Sequence, residues 1–421
     1  MYCMHETYII DAGRTWTGKY LGAYKDIPIS DLAGSFLQQF LNKAGLDVFR
    51  IDGCYMGIVY SAGAEQHPAR QAAIKAGLGY AVDAVSLCKV CASGLAAVEY
   101  GEFKILRGKD LVIAGGMESM SRTPYLLSRE RHIGIDILSK EKSNFAVTLK
   151  DYFELHEDMD AEAFLSKTKI YDSMNLDGLC DAYAEDNALM GHIAEEYVKR
   201  EDISREDMDE YAYESFVRAK EYQKKIERQI VSIDGIDIDF DQGWRTPDRG
   251  KMRSLRPAFA PDGKITSANA SQVSDGVSAV LLGSKKAHAY FKNRGKEALG
   301  RIRACATFSG HPNEYLSAPI YAIAEACRQA GVLVSDIDLF EVNEAFAIVP
   351  MEVMKAFCVS RDRMNIWGGA IANGHPLGAS GTKILSNLAY QLQDTGARYG
   401  IAAACNGGGE AMAIVVENPS K

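Results

Sequence analysis

The chain repeats itself, and that repeat limits its fold more than any single motif does. "AGLDVFRIDGCYMGIV" from Ala44 lies ungapped over "AGVLVSDIDLFEVNEA" from Ala330, with Ala, Gly, Ile and Asp identical in register. One further residue of shift lays Ala92-Ser93-Gly94 over Ala379-Ser380-Gly381, each a small-residue turn opening a helix. Agreement in order, spacing and turn chemistry reads as a duplicated half-domain. In the first copy Ile29, Leu32, Ala33, Phe36, Leu37, Phe40, Leu41 and Ala44 fall at helical spacing, with Gly45 as a stop. "CYMGIVY", "AVSLCKV" and "DLVIAGG" read as strands, "PARQAAIKAG" as a short helix, and a small-residue helix begins near Cys91. Strands alternating with helices predict an α/β layered fold.

Residues 120 to about 250 break the pattern. They are charge-rich, with "SKEKSNFAVTLKDYFELHEDMDAEAFLSK" and a helix expected through "SREDMDEYAYESFVRAKEYQKK". Structureless loops of such length are rare, so an inserted domain or a long excursion over a site is expected. The division expected is 1–119 as the first half, completed by about 250–284, then 120–249 as the loop domain and 285–421 as the second half. Chemistry is expected where the halves meet, beneath the insertion.

Composition removes several functional classes. At 421 residues and 47% hydrophobic, the chain exceeds one small domain and can bury a large core. No stretch has the apolar length of a membrane span. "MYCMHETYIIDAGRT" enters a strand-like run too early for a signal peptide, and "IVVENPSK" carries no lipidation or peroxisomal signal. A net charge of -9 argues against general binding of nucleic acid or membrane surfaces. Nine cysteines, an odd number, do not form a disulfide framework. These features read as a cytoplasmic enzyme.

Four places could carry chemistry. Cys91 stands at a strand-to-helix turn, where a helix N-terminus is expected to lower the thiol pKa; the bland alternative is a buried inert cysteine. "GGAIANGHPLGASG" brings His375 in on a glycine- and proline-rich backbone. "FEVNEAFA" sets Asn343 and Glu344 at a strand end, and "AAACNGGGEAMA" sets Cys405 at another, before three glycines. Taken singly, a helix cap explains Asn343-Glu344 and a tight hairpin the glycines, while His375 alone is read as a site residue rather than a satisfied core histidine. Together they supply nucleophile, base, polar orienter and second thiol at strand ends. Cys88 and Cys91 also match a redox dithiol, while a zinc site lacks its remaining ligands. "HEDMD" at 156–160 lacks metal-ligand spacing and reads as a solvated acidic face.

The motifs "DAGRTWTGKYLG", "HPARQAAIKAGL", "KVCASGL", "AGGMESMSRTPYLL", "ANASQVSDG", "FEVNEAFA", "GGAIANGHPLGASG" and "CNGGGEA" run in order nearly end to end. In them the sequence resembles the thiolases, most closely the acetyl-CoA acetyltransferase (acetoacetyl-CoA thiolase) group. The resemblance implies two βαβαβαββ halves in five αβαβα layers with an inserted loop domain, assembled as a homodimer or homotetramer. It implies that Cys91 carries the acyl group, His375 activates it, and Cys405 moves the α-proton of acetyl-CoA. Asn343 matches the holder of a water that, with His375, stabilises the enolate oxygen. The N–H groups of Cys91 and Gly407 match a second oxyanion hole, and Ser271, Phe259, Met190, Ala345 and Phe346 match the pantetheine channel. The implied substrates are acetyl-CoA, acetoacetyl-CoA or another 3-ketoacyl-CoA, and CoA, with no metal and no tightly bound cofactor. A broader-chain 3-ketoacyl-CoA thiolase is the alternative; a β-ketoacyl synthase and a non-catalytic dithiol or lipid-carrier protein stand further off.

Three departures from the family pattern bear on this reading. Cys88 stands where relatives carry Asn, and on the resemblance it is a bystander. Leu189 replaces the histidine of the acetoacetyl-specific "HMG" pattern, which bears on acyl-chain preference. The stretch from Pro124 to Asp172 is longer than expected. Independently, "GWRTPDRGKMRSLRPAF" clusters Arg245, Arg249, Lys251, Arg253 and Arg256 before Phe259. Arg249 and Arg256 are expected at the phosphates of CoA, against a solvated basic face.

Overall fold

The computed structural model describes residues 6–46, 51–127, 169–181, 183 and 188–421. The "HEDMD" stretch and most of the segment from Pro124 to Asp172 lie outside them. The first half runs β1 (Thr7–Arg14), α1 (Ile29–Ala44), β2 (Gly53–Gly57), α2 (Pro68–Lys75), β3 (Asp83–Leu87), α3 (Ser93–Leu106) and β4 (Leu111–Ser119). After the excursion, which carries α4 (Met190–Arg200) and α5 (Arg205–Glu221), β5 (Ser274–Ser284) closes that half. The second half runs β6 (Gly300–Ser309), α6 (Ala318–Ala330), β7 (Leu339–Val342), α7 (Ile348–Phe357), α8 (Leu377–Thr395), β8 (Tyr399–Asn406) and β9 (Glu410–Glu417).

The duplication is visible in the topology. The first five strands lie in the order β3-β2-β4-β5-β1, and the second half follows as β6-β9-β8-β7. At the outer edge of β7 a single parallel bridge, Phe340 to Met364, occupies the place that β3 takes in the first half. The matched Ala-Gly pairs end α1 and α6, where Gly45 and Gly331 both take φ of 69°, a left-handed cap that glycine adopts without strain. β2 and β7 then begin at the same interval from them.

Three large cores fill the spaces between five layers, the middle one reaching both faces of the inner helices. α1 and α2 cover the outer face of the first half with Leu32, Phe36, Leu37 and Phe40. α3 and α8 lie between the two halves of the sheet, burying Leu95, Val98, Leu385 and Leu388 against strands of both halves. α6 and α7 cover the outer face of the second half. In the inner layer the repeated Ala-Ser-Gly turns meet: a Cβ on Gly94 would fall 2.7 Å from the Thr382 nitrogen, and one on Gly381 2.5 Å from the Leu95 nitrogen. Only glycines let these helices cross so closely.

The excursion packs onto the second half. Ile193, Tyr197 and Val198 of α4 and Met208, Tyr211 and Phe216 of α5 share one core with Leu316, Ile323, Phe340 and Val353. Among the described residues no helix is long and apolar enough to cross a membrane.

Candidate active site

Cys91 sits in a strained turn between β3 and α3. Val90 has a φ of 46°, an uncommon conformation for a β-branched residue. Ser93 clamps the turn: its Oγ accepts from the Lys89 N–H at 2.8 Å and donates to the Val90 carbonyl at 2.6 Å. Gly57 makes room, since a Cβ there would lie 2.6 Å from the Ser93 backbone. The expected depression of the thiol pKa is not found. Burial pushes Cys91 well above its ordinary value, and the nearby Cys405 adds to the rise. Loss of hydration outweighs the helix end, so Cys91 rests as a thiol.

His375 follows Gly374, whose φ is 82°, and is buried. Its Nδ1 lies 2.5 Å from Ser380 Oγ, and that hydroxyl donates to the Pro376 carbonyl at 2.9 Å. Ser380 therefore accepts from Nδ1–H, leaving Nε2 with its lone pair, an assignment made from the network. Asn343 Nδ2 approaches that Nε2 at 3.3 Å. Burial, with the Lys383 charge nearby, pulls His375 down to about 3, so the imidazole is neutral. Lys383 Nζ itself donates to the carbonyls of Asn373 (2.8 Å) and Gly374 (2.6 Å), tying down the chain that presents His375.

Asn343 comes one residue after β7, and its buried Oδ1 has no partner among the described residues. Cys405 lies near the end of β8, fully buried, with its thiol pushed up to about 12 by burial. Gly408 and Gly409 turn the chain there with φ of 89° and 80°. A Cβ on Gly409 would fall 2.4 Å from the His311 carbonyl oxygen.

These pieces converge on one cavity of about 270 Å³. Cys91 and Met120 of the first half, Gly178, Leu179 and Leu189–Gly191 of the excursion, and His375, Cys405 and Gly407 of the second half line it. Ser271, Phe259, Met190, Ala345 and Phe346 line it too. Phe259 stands edge-on to Phe346, with ring centroids 6.2 Å apart, and fits only because Gly191 has no side chain: a Cβ there would sit 2.3 Å from its ring. The Ser271 N–H donates to the Ala345 carbonyl at 2.9 Å. Asn343 is not in the lining and reaches the site through His375.

The arginines are not brought to the cavity. Arg249 forms a two-pronged pair with Glu210, at 2.8 and 2.5 Å, and lies over the Tyr213 ring; Arg256 is exposed elsewhere. Cys88 is exposed and does not line the cavity. Sequence reasoning missed Ser380, although "GASG" was in view, and Tyr315, whose buried hydroxyl donates to the Met190 carbonyl at 2.8 Å in the cavity wall. It also missed Glu118, which accepts from the N–H groups of Val59, Tyr60 and Gly378. A carboxylate inside the all-buried strand β4 was its signal.

Residues 7–286 match the family model "Thiolase, N-terminal domain", and 296–418 match "Thiolase, C-terminal domain". The chain belongs to the thiolase family. It is accordingly an acyltransferase. It is 33% identical to acetyl-CoA acetyltransferase of Schizosaccharomyces pombe over 98% of both chains. It is 36% identical to the mitochondrial acetyl-CoA acetyltransferase erg10A of Aspergillus fumigatus, over 98% of this chain and 90% of that one. Human mitochondrial 3-ketoacyl-CoA thiolase superposes with a TM-score of 0.84 at 28% identity, covering 99% of each chain. Relatives named both cytosolic and mitochondrial occur.

Proposed function

We propose that this thiolase catalyses the reversible condensation of two acetyl-CoA to acetoacetyl-CoA and CoA, or thiolysis of a short 3-ketoacyl-CoA, through an acyl group on Cys91. The observation that carries this is a single cavity lined by two thiols and a neutral imidazole. As the Cys91 sulfur attacks the thioester, its proton passes to His375 Nε2. The departing CoA takes a proton from Cys405, leaving a thiolate beside the imidazolium. Because burial makes Cys405 a weak acid, its thiolate is a strong base, suited to the weakly acidic α-carbon of a second acetyl-CoA. The enolate attacks acyl-Cys91, and the Cys91 sulfur leaves with the proton held on His375. The unpartnered Asn343 Oδ1 suits a water aimed at the enolate oxygen, and the N–H groups of Cys91 and Gly407 suit the tetrahedral oxyanion. Loss of one such donor costs about 10²–10³ in rate. The reaction needs no metal and no tightly bound cofactor.

Brief exposure to acetyl-CoA followed by peptide mass spectrometry should place the acetyl group on Cys91; an acetyl on Cys88 would refute the assignment. Cys405→Ala should still acetylate Cys91 yet fail to exchange the α-protons of acetyl-CoA with deuterated solvent. Normal exchange would mean that another residue is the base. A second reading, activity on longer 3-ketoacyl-CoAs, is favoured by the apolar wall that Leu189, Leu179 and Met120 give the cavity.

A further inference from the structure

The carboxylate of Glu410 gathers donors from the two turns that carry the thiols. Lys89, two residues before Cys91, donates from Nζ to Glu410 Oε2 at 2.7 Å. Asn406, next to Cys405, donates to the same oxygen at 3.2 Å, and Ser309 Oγ donates to Oε1 at 2.7 Å. Glu410 opens β9 and pairs across the hairpin with Asn406. Lys89 thus belongs to the turn strained at Val90, and Glu410 closes the turn made by Gly408 and Gly409. Burial pushes the Glu410 carboxyl up, but hydrogen bonds from Lys89, Ser309 and Asn406 outweigh it and hold the carboxyl below its usual range.

The side chains of Lys89 and Glu410 are 25% and 29% exposed. A partly exposed pair of this kind adds little to folding stability, so its consequence is geometric. We propose that the Lys89–Glu410 ion pair is a latch that fixes the Cys91 turn against the Cys405–Gly407 turn. Both residues are positioning residues. They set the alignment of the two thiols and of the N–H groups of Cys91 and Gly407, and neither touches the reacting atoms. This rests on the acyl-transfer reading of the cavity, in which a small displacement is costly because reacting groups must be held in near-attack geometry.

Lys89→Met, Glu410→Gln and the double variant test it with two readouts: steady-state thiolysis of acetoacetyl-CoA, and cross-linking of Cys91 to Cys405 by a short bis-alkylating thiol reagent. Each single variant should lower kcat about tenfold or more with KM held within about twofold, given the cost of misalignment. Each should also slow the cross-link. The double variant should be no worse than the poorer single one, and Lys89→Arg should restore most of both signals. Three results would each overturn the latch: single variants within about twofold of wild type, losses that multiply in the double variant, or a Lys89→Met defect that arginine does not repair. If wild type gives no acetyl-Cys91, the reading of function fails instead, and the cross-link still decides the latch.

Discussion

His375 shows how burial sets the chemistry of single residues. The folded imidazole takes a proton only at about 3, whereas the unfolded chain takes one below about 6.5. Between those values the unfolded state binds more protons, so this group's contribution to stability is whole above about 6.5 and falls as the pH drops, by about 1.4 kcal/mol per unit. His375→Asn removes that dependence. Relative to wild type the variant should gain about 2 kcal/mol between pH 6.5 and pH 5 in urea unfolding; a difference that does not change with pH would show that the ring is not held neutral. Leu189 offers the proposed substrate site an apolar surface. It lines the cavity, and each CH₂ that a longer acyl chain buries there is worth about 0.8 kcal/mol. The protein should therefore cleave 3-ketoacyl-CoAs of six carbons and more as well as acetoacetyl-CoA, and Leu189→His should narrow the range toward four carbons. Cleavage of the four-carbon substrate alone by wild type would remove Leu189 from substrate selection.

At the scale of elements, the crossing of α3 and α8 brings Cys91 and His375, the proposed nucleophile and base, to one cavity. Cys91 precedes the first turn of α3, while His375 precedes α8 and bonds Ser380 within it. Gly94→Ala should gain about 1 kcal/mol in helix propensity. Its Cβ would meet the Thr382 nitrogen at 2.7 Å and the Gly378 carbonyl oxygen at 3.1 Å, and overpacking of this kind costs about 1–3 kcal/mol. The net should be a lower melting temperature and slower acetylation of Cys91 as the helices part; full acetylation at wild-type stability would mean that the crossing yields freely. The sequence held much of this layout. Ala-Gly caps, strand patterns and Ala-Ser-Gly turns are local features, so the duplicated halves and the thiol and histidine turns could be read from them. The rest depends on neighbours distant in the chain. Nothing local says that burial raises the Cys91 pKa, that Arg249 is taken by Glu210, or that Ser380 turns its hydroxyl to His375. The bridge at Met364 that stands in for β3 is likewise set by its pairing with Phe340.

At the scale of the molecule the two halves are parts of one structure rather than linked domains. β1 pairs with β6 through Thr7, Tyr8 and Ile9 against Ile302, Arg301 and Gly300, which makes the sheet continuous. The inner core draws Ile9, Leu95, Val98 and Leu282 from the first half and Ile384, Leu385, Leu388 and Leu392 from the second. Each such side chain gains about 1.5–3 kcal/mol on burial. The four residues of α8 alone therefore match the whole stability of an ordinary domain, about 5–15 kcal/mol. The connection between the halves is, by contrast, exposed at Asn293, Arg294 and Gly295, where Gly295 has a φ of 80°. Cutting the chain there removes no buried contact, so a protein nicked after Arg294 should elute as one particle and still acetylate Cys91. The separated fragments, each with half of the inner core in water, should aggregate or remain unfolded when expressed alone. Size-exclusion chromatography and circular dichroism of the nicked protein and of each fragment would check this. A first-half fragment that folds on its own, with a cooperative melting transition, would show that the inner layer joins the halves without being required by either.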